Sequence, residues 1–101
     1  MEPGGVEKFR VKDVDERVTG IRGRVVDVGV LVRDDRVYVL EIESRAEMEH
    51  VEALPERARV VERVLGRRVE RLYVVAVNVD REAYKRTRGL RIRVICGNVI
   101  D

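Results

Sequence analysis

The sequence predicts an α/β domain whose mixed sheet begins with an antiparallel hairpin and continues as β-α-β-α-β. Residues 24–43 contain two runs of β-branched residues around a charged break at Asp34-Asp35, which is typical of a β-hairpin. Apolar residues then recur at three-to-four spacing through residues 48–65, as in an amphipathic helix. Residues 72–79, LYVVAVNV, are almost continuously apolar and have the length of a strand.

Length and composition indicate one small globular domain that spans residues 1–101. Hydrophobic residues make up 45% of the chain and charged residues 40%, a balance that excludes a disordered chain. The net charge of +2 is too small for the whole surface to attract nucleic acid, and the single cysteine, Cys96, excludes an internal disulfide. The absence of Gln and the abundance of Glu and Arg favour a heat-adapted source.

No apolar run is long enough to span a membrane, and the N-terminus has no apolar signal core. We therefore expect a cytoplasmic protein with no membrane partner.

The N-terminal quarter is the least informative part of the sequence. Residues 1–5 are expected to form a loose end. Residues 6–17 fit either a helix or a strand, because Phe9 is at helical spacing from the apolar residue before it and alternates with the one after it. Residues 14–21 contain enough β-branched residues to predict a strand that ends near Gly20.

The register of the hairpin decides which side chains share a face. A two-residue turn at Asp34-Asp35 would place Asp27 and Glu41 on opposite faces of the sheet, since directly paired residues point to the same side. A three-residue loop, or a bulge at Gly29, would bring these two acids together. A shared carboxylate site therefore predicts an irregular hairpin.

The long helix carries recognisable start and stop signals. Ser44 is predicted to cap its N-terminus, with Glu47 completing a capping box. Pro55 should kink the helix or split it, and Gly66 should end it. The strand over residues 72–79 is then expected to be central in the sheet and covered on both faces.

The C-terminal part predicts one more helix and one more strand. Asp80 can cap a short helix that Gly89 ends. Apolar residues alternate with arginines over residues 90–94, which predicts a last strand with one solvent-exposed face.

Three acids interrupt the otherwise apolar strands of the hairpin, namely Asp27, Glu41 and Glu43. Burying an unpaired carboxylate is costly, so these side chains either face water or hold a cation. His50 could reach them from the helix, although a single helical histidine more often has a structural role. Arg45 could add a positive charge nearby, or lie on the surface.

The C-terminal quarter is the most basic part of the chain. Its cations could contact phosphates or could form a solvated surface, and they are Arg81, Lys85, Arg86, Arg88, Arg91 and Arg93.

An acid on one strand, an acid-x-basic triplet on the next, and then helix, strand, helix and strand is the arrangement of the PD-(D/E)XK nuclease superfamily. This chain resembles that superfamily over about residues 14–95, where Asp27 resembles the first acid and Glu41 the second. The segment LGRRVERLYVVAV is similar to the corresponding part of small archaeal proteins of this group. The resemblance implies a restriction-endonuclease-like fold.

The sequence departs from the pattern of the superfamily at two places. The lysine of the motif is Glu43 here, which removes a positive charge from the expected site. Cores of this superfamily usually open with a helix that often bears another acid. Only residues 6–17 could supply that helix, with Glu7 or Glu16 as the acid.

The resemblance implies a nuclease that hydrolyses DNA phosphodiesters with Mg²⁺ or Mn²⁺. Asp27, Glu41 and the carbonyl of Ile42 would bind the ion, and Glu43 would bind a second ion or act as a base. The alternative is a module that kept the nuclease fold, lost the chemistry, and acts in nucleic-acid binding or protein assembly. The small core and Val-rich strands predict a homodimer in either case.

Overall fold

A computed structural model describes residues 6–101; residues 1–5, for which the sequence predicts a loose end, lie outside the described residues. Its elements in chain order are β1 (Val6–Lys12), β2 (Val25–Arg33), β3 (Arg36–Ala46), α1 (Met48–Leu65), β4 (Val69–Asp80), α2 (Arg81–Gly89) and β5 (Ile92–Ile100). The strands form one five-stranded sheet in the order β1-β2-β3-β4-β5. The pairs β1–β2 and β2–β3 are antiparallel, whereas β3–β4 and β4–β5 are parallel. The predicted α/β mixed sheet is confirmed.

Of the helix and the strand that fit residues 6–17, the strand is observed, as β1. The predicted strand over residues 14–21 is wrong. Residues 13–24 form an irregular loop organised around the buried side chain of Asp13. The carboxylate of Asp13 accepts hydrogen bonds from the backbone N–H and the hydroxyl of Thr19, both at 2.6 Å. Burial raises the pKa of Asp13, but these bonds lower it more, so the pKa lies below its ordinary value. Local side-chain bonds therefore outweigh β propensity here.

The hairpin of β2 and β3 is regular, so the predicted loop or bulge is also wrong. Arg33 pairs directly with Arg36, and the pairing continues without a break to Gly29 and Leu40. The turn residues between the two arginines both have positive φ, 51° and 65°, as a type I′ turn requires. They are aspartates, which tolerate the left-handed conformation better than most residues.

Helix α1 begins three residues later than predicted. Ser44 still belongs to β3, because the end of this strand pairs with β4 as far as Ala46 and Val79. Glu47 is the N-cap residue, and it forms a capping box with His50. The helix runs through Pro55 without being split, and Gly66 follows it with a φ of 64° and an N–H that bonds to the carbonyl of Glu62.

Both helices cover the same face of the sheet. The crossovers β3-α1-β4 and β4-α2-β5 move in one direction along the sheet, and right-handed crossovers of that kind place their helices on one side. Buried residues from α1, α2 and four strands form one core, centred on Val39, Leu54 and Val74. The prediction that β4 is covered on both faces is wrong, since Val77 on the opposite face is 61% exposed.

The C-terminal elements agree with their predicted order; α2 has its predicted bounds, and β4 and β5 are longer than predicted. Asp80 occupies the N-cap position of α2, but its carboxylate binds Arg45 at 2.8 Å and makes no capping bond. Strand β5 extends to Ile100 because it pairs with β4 as far as Asp80. Neither helix in the described part of the chain is long and apolar enough to cross a membrane.

Candidate metal centre

Three polar side chains from β3 and α1 meet on the helix-covered face of the sheet. Glu41, Glu43 and His50 each offer one ligand atom, and these atoms lie within 4.8 Å of one another. We call these three residues the acid cluster. The imidazole Nε2 of His50 is 3.5 Å from the carboxylate of Glu43. The side chain of Glu41 is only 11% exposed and forms an ion pair with Arg57.

The local folding rules explain why these side chains converge. Glu41 and Glu43 alternate with outward-facing residues along β3, so both point towards the helices. Helix α1 follows this strand immediately and packs on it. His50 and Arg57 are seven residues apart on α1, which is close to two turns, so they face the same strand. Each basic side chain thus lies over one acid.

The acid cluster concentrates negative charge in a partly buried place. Burial, together with hydrogen bonding and charge repulsion from the neighbouring carboxyl of Glu43, raises the pKa of Glu41 to about 7. Arg57 and His50 oppose this shift without cancelling it. A divalent cation would relieve the same repulsion, and two carboxylates with water are a ligand set that Mg²⁺ accepts. The donors present therefore fit such an ion.

The capping box restricts what His50 can do. Its Nδ1 accepts a hydrogen bond of 2.9 Å from the backbone N–H of Glu47. In a neutral imidazole the proton must then lie on Nε2, which faces Glu43. In this tautomer His50 is a donor to the acid cluster, and its nitrogen has no free lone pair for a metal ion. His50 thus orients Glu43 rather than joining the ligands.

Asp27 lies on the other face of the sheet. It pairs across β1–β2 with Arg10, and the two side chains form an exposed ion pair at 2.9 Å. The hydrogen bond from Arg10 holds the pKa of Asp27 below its ordinary value. The regular hairpin accounts for this placement, because Asp27 and Glu41 then alternate onto opposite sides.

The two acids nevertheless line one cleft, because β2 and β3 stop pairing beyond Gly29 and Leu40. This cleft has a volume of about 170 Å³, and Asp27, Glu41 and Glu43 line it together with Lys8 and Arg57. The predicted acids therefore border a common space, although only Glu41 and Glu43 belong to the acid cluster.

Ile42, whose backbone carbonyl is the predicted ligand, lies between Glu41 and Glu43 and lines the same cleft, and its side chain turns to the uncovered face, where it is 51% exposed. The remaining candidates lie away from the acid cluster. Arg45 binds Asp80 and not the acids. Glu7 and Glu16, the acids considered for an opening helix, are exposed, in β1 and in the loop that follows it. The described residues before β2 contain no helix.

Arg57 is the site residue that the sequence interpretation missed. It lies beside the apolar stripe of α1 and seven residues after His50. This spacing puts Arg57 on the same face of α1 as His50. Because α1 directly follows the strand that bears the acids, the spacing could have predicted that Arg57 lies near them.

A comparison with models of known protein families shows which superfamily the chain belongs to. The model of the PD-(D/E)XK nuclease superfamily matches residues 24–95. The chain belongs to the PD-(D/E)XK nuclease superfamily. Its mixed sheet, hairpin start and following helices are those of a restriction-endonuclease-like fold. No curated protein and no solved structure is found to match the chain.

Membership of the PD-(D/E)XK superfamily gives the acid cluster a chemical context. Nucleases of this superfamily typically use divalent metals, and the glutamates with the nearby histidine form a group that could bind one. The matched region begins at residue 24, just before β2, and includes the hairpin, both helices and the start of β5. Every residue of the acid cluster lies inside it.

Proposed function

We propose that this chain is a divalent-metal-dependent phosphodiesterase that cleaves DNA. The observation that supports this most is the convergence of Glu41 and Glu43 in a chain of the PD-(D/E)XK superfamily. Both glutamates would bind the ion, which we expect to be Mg²⁺ or Mn²⁺. A bound ion of this kind polarises the phosphate and lowers the pKa of the attacking water.

The charged side chains around the cleft have separate roles in this proposal. Arg57 carries a positive charge next to Glu41, where it can stabilise the charge that develops on the phosphate. It would do part of what the motif lysine does, since the sequence has Glu43 at that place. Lys8 lines the same cleft and can bind a neighbouring DNA phosphate.

Asp27 and the carbonyl of Ile42 keep the roles predicted for them as part of the proposal. Asp27 would have to exchange its pairing with Arg10 for the metal ion, and both groups of that pair are exposed enough to move. A solvent-exposed ion pair adds little to stability, so its loss is a small barrier to such an exchange.

The test of the proposed function is the nicking of supercoiled plasmid DNA. The purified chain should convert it to the open circular form in Mg²⁺ or Mn²⁺, and an excess of EDTA should stop the reaction. Absence of nicking with either ion, at a molar excess of protein over DNA and at pH 8, would contradict it.

Replacing His50 by Ala should weaken the binding of Mg²⁺ and Mn²⁺ to a similar extent, by about tenfold. The reason is that the tautomer set by Glu47 makes His50 a positioning residue for Glu43. Calorimetric titration with each ion measures both affinities, and His50→Gln, which retains a donor, should recover part of the loss. A third titration with Ni²⁺ tests the alternative: a loss of Ni²⁺ affinity much larger than the loss for Mg²⁺ would show that the imidazole nitrogen is a ligand, since imidazole suits Ni²⁺ whereas carboxylate and water suit Mg²⁺.

A second candidate function is a non-cleaving module for nucleic-acid binding or protein assembly. The ion pairs of Glu41 with Arg57 and of Asp27 with Arg10 favour it, because each acid already has a cationic partner. This candidate predicts neither saturable cation binding nor nicking. The plasmid assay therefore separates the two.

A further inference from the structure

The face of the sheet opposite the helices is uncovered in the described part of the chain, and it is mainly apolar across β3, β4 and β5, whereas β1 and β2 place Lys8, Arg10 and Asp27 on it. Neighbouring strands place Leu40 beside Tyr73, and Ile42, Val75 and Ile95 in one row. Ile42, Val77 and Ile95 are 51%, 61% and 58% exposed. We call this surface the open face. Its apolar residues are Leu31, Leu40, Ile42, Val75, Val77 and Ile95, and the rings of Tyr38 and Tyr73 lie in contact at one end, tilted by 56° to each other.

A parallel sheet with one bare face is unusual. Parallel strands occur almost always with both faces covered, and β3, β4 and β5 are parallel to one another. Contiguous apolar patches of this kind on a folded protein commonly mark an interaction site. The open face also contains a groove of about 300 Å³ between Leu31, Leu40 and Ile95, which side chains of a partner can fill.

The accessible surface of the chain is larger than its mass predicts. It measures 6776 Å², whereas about 5,900 Å² is expected of a monomeric protein of 11.7 kDa. The excess of about 900 Å², to which residues 1–5 also contribute, is of the same order as the roughly 800 Å² that each partner buries in a standard interface. Val14, Ile21, Val25 and Val64 add to this excess as well, but among residues 6–101 exposed apolar side chains lie side by side on neighbouring strands only on the open face.

We propose that the open face is the interface of a homodimer, with a second copy of this chain as its occupant. The centre of the open face contains no charged side chain. The same patch can therefore serve on both sides of a two-fold axis without like charges meeting. Two such sheets stack about 10 Å apart with interleaved side chains, as in a β-sandwich. Arg33 and Arg93 lie at the edge, where a polar rim is normal.

Other occupants fit the open face less well. Nucleic acid requires cations spread across the contact, whereas the cations Lys8, Arg10 and Arg93 of this face lie on the edge strands β1 and β5 and not at its centre. A second copy supplies an apolar surface of the same size and shape, and it covers β4 of both chains at once. This inference rests on the fold and not on the proposed nuclease activity. The acid cluster is on the opposite face, while Asp27 and Lys8, which the proposed function also uses, lie on β2 and β1 beside the apolar part of the open face.

Sedimentation velocity of the full chain at about 5–200 μM tests the proposal. The wild type should have twice the mass of 11.7 kDa. Val77→Asp and Ile95→Asp should each shift the protein to the monomer, with dimer affinity lowered at least 100-fold. Ile21→Asp is the matched control, because Ile21 is 56% exposed, nearly as much as Ile95, but lies in the loop 13–24. That control should remain dimeric.

Circular dichroism of each variant checks that the fold is retained. If an aspartate variant fails to fold, Val77→Thr and Ile95→Thr keep a β-branched side chain and should still weaken the dimer about tenfold. A wild type that is monomeric at 200 μM would overturn the proposal and leave the face to a different partner. A dimer that persists unchanged in the variants at Val77 and Ile95 would also overturn it.

Discussion

Replacing Glu41 by Gln should reduce plasmid nicking at least 100-fold at pH 8 while leaving the fold intact. Glutamine preserves the size of the side chain and can still accept a hydrogen bond from Arg57, so the packing between β3 and α1 is kept. It removes the charge that holds the cation, and the remaining carboxylate of Glu43 then acts alone. Loss of an ionic ligand of the metal should cost more than the 10–100-fold typical of groups that only orient ligands.

Two further variants separate the roles of the acids. Glu52→Gln makes the same change of charge at an exposed position of α1, and it should nick as fast as the wild type. Asp27→Asn tests whether the acid on the opposite face contributes. A loss as large as that of Glu41→Gln would mean that Asp27 leaves Arg10 to bind the ion, whereas wild-type activity would confine the site to Glu41 and Glu43. Undiminished nicking by Glu41→Gln would exclude the acid cluster as the active site.

The metal-free protein should become less stable as the pH rises from about 4.5 to 7. The folded protein holds a proton on Glu41 up to a pKa of about 7, whereas the ordinary value is 4.5. Between these values the native state binds more protons than the unfolded state, so the free energy of unfolding falls as the pH increases. Glu43 on β3 and His50 and Arg57 on α1 face this carboxyl, and only the two basic groups oppose the effect.

The expected size of this change is about 1–3 kcal/mol, after allowance for the solvent that reaches the cluster. Urea unfolding of the wild type and of Glu41→Gln in EDTA at pH 5, 6 and 7 measures it. The variant should lose most of the slope, because glutamine does not titrate. Asp13 and Asp27 have lowered pKa values, so the stability that they confer is lost in a separate range, as the pH falls below about 4. A wild type whose free energy of unfolding is constant from pH 5 to 7 would contradict a raised pKa of Glu41 in the folded protein.

The sequence predicted the order of the elements after β1 because strong local signals agree with the tertiary structure. The type I′ turn, the glycine stop of α1 and the apolar run of β4 each have a local cause. The loop at residues 13–24 was missed because the buried carboxylate of Asp13 organises it through contacts that propensity does not describe. The start of α1 was placed too early because pairing with β4 extends β3 to Ala46.

The candidate site was predictable only in part. Two acids on alternate positions of β3 necessarily share a face, so the pairing of Glu41 with Glu43 follows from the sequence. Whether Asp27 joins them depends on the length of one turn, and a two-residue turn sends it to the opposite side. The sequence could not predict that one face of β4 is uncovered within the chain. An apolar strand does not indicate whether its second face is covered by its own chain or by another.

Calorimetric titration of the wild type and of Glu41→Gln with Mn²⁺ at pH 8 tests the central claim most directly, since Glu41 is ionised at that pH. The wild type should show saturable binding of the cation, and Glu41→Gln should show at least a 100-fold weaker affinity under the same conditions. Absence of binding by the wild type at millimolar Mn²⁺, or equal binding by both proteins, would contradict a metal centre at Glu41 and Glu43.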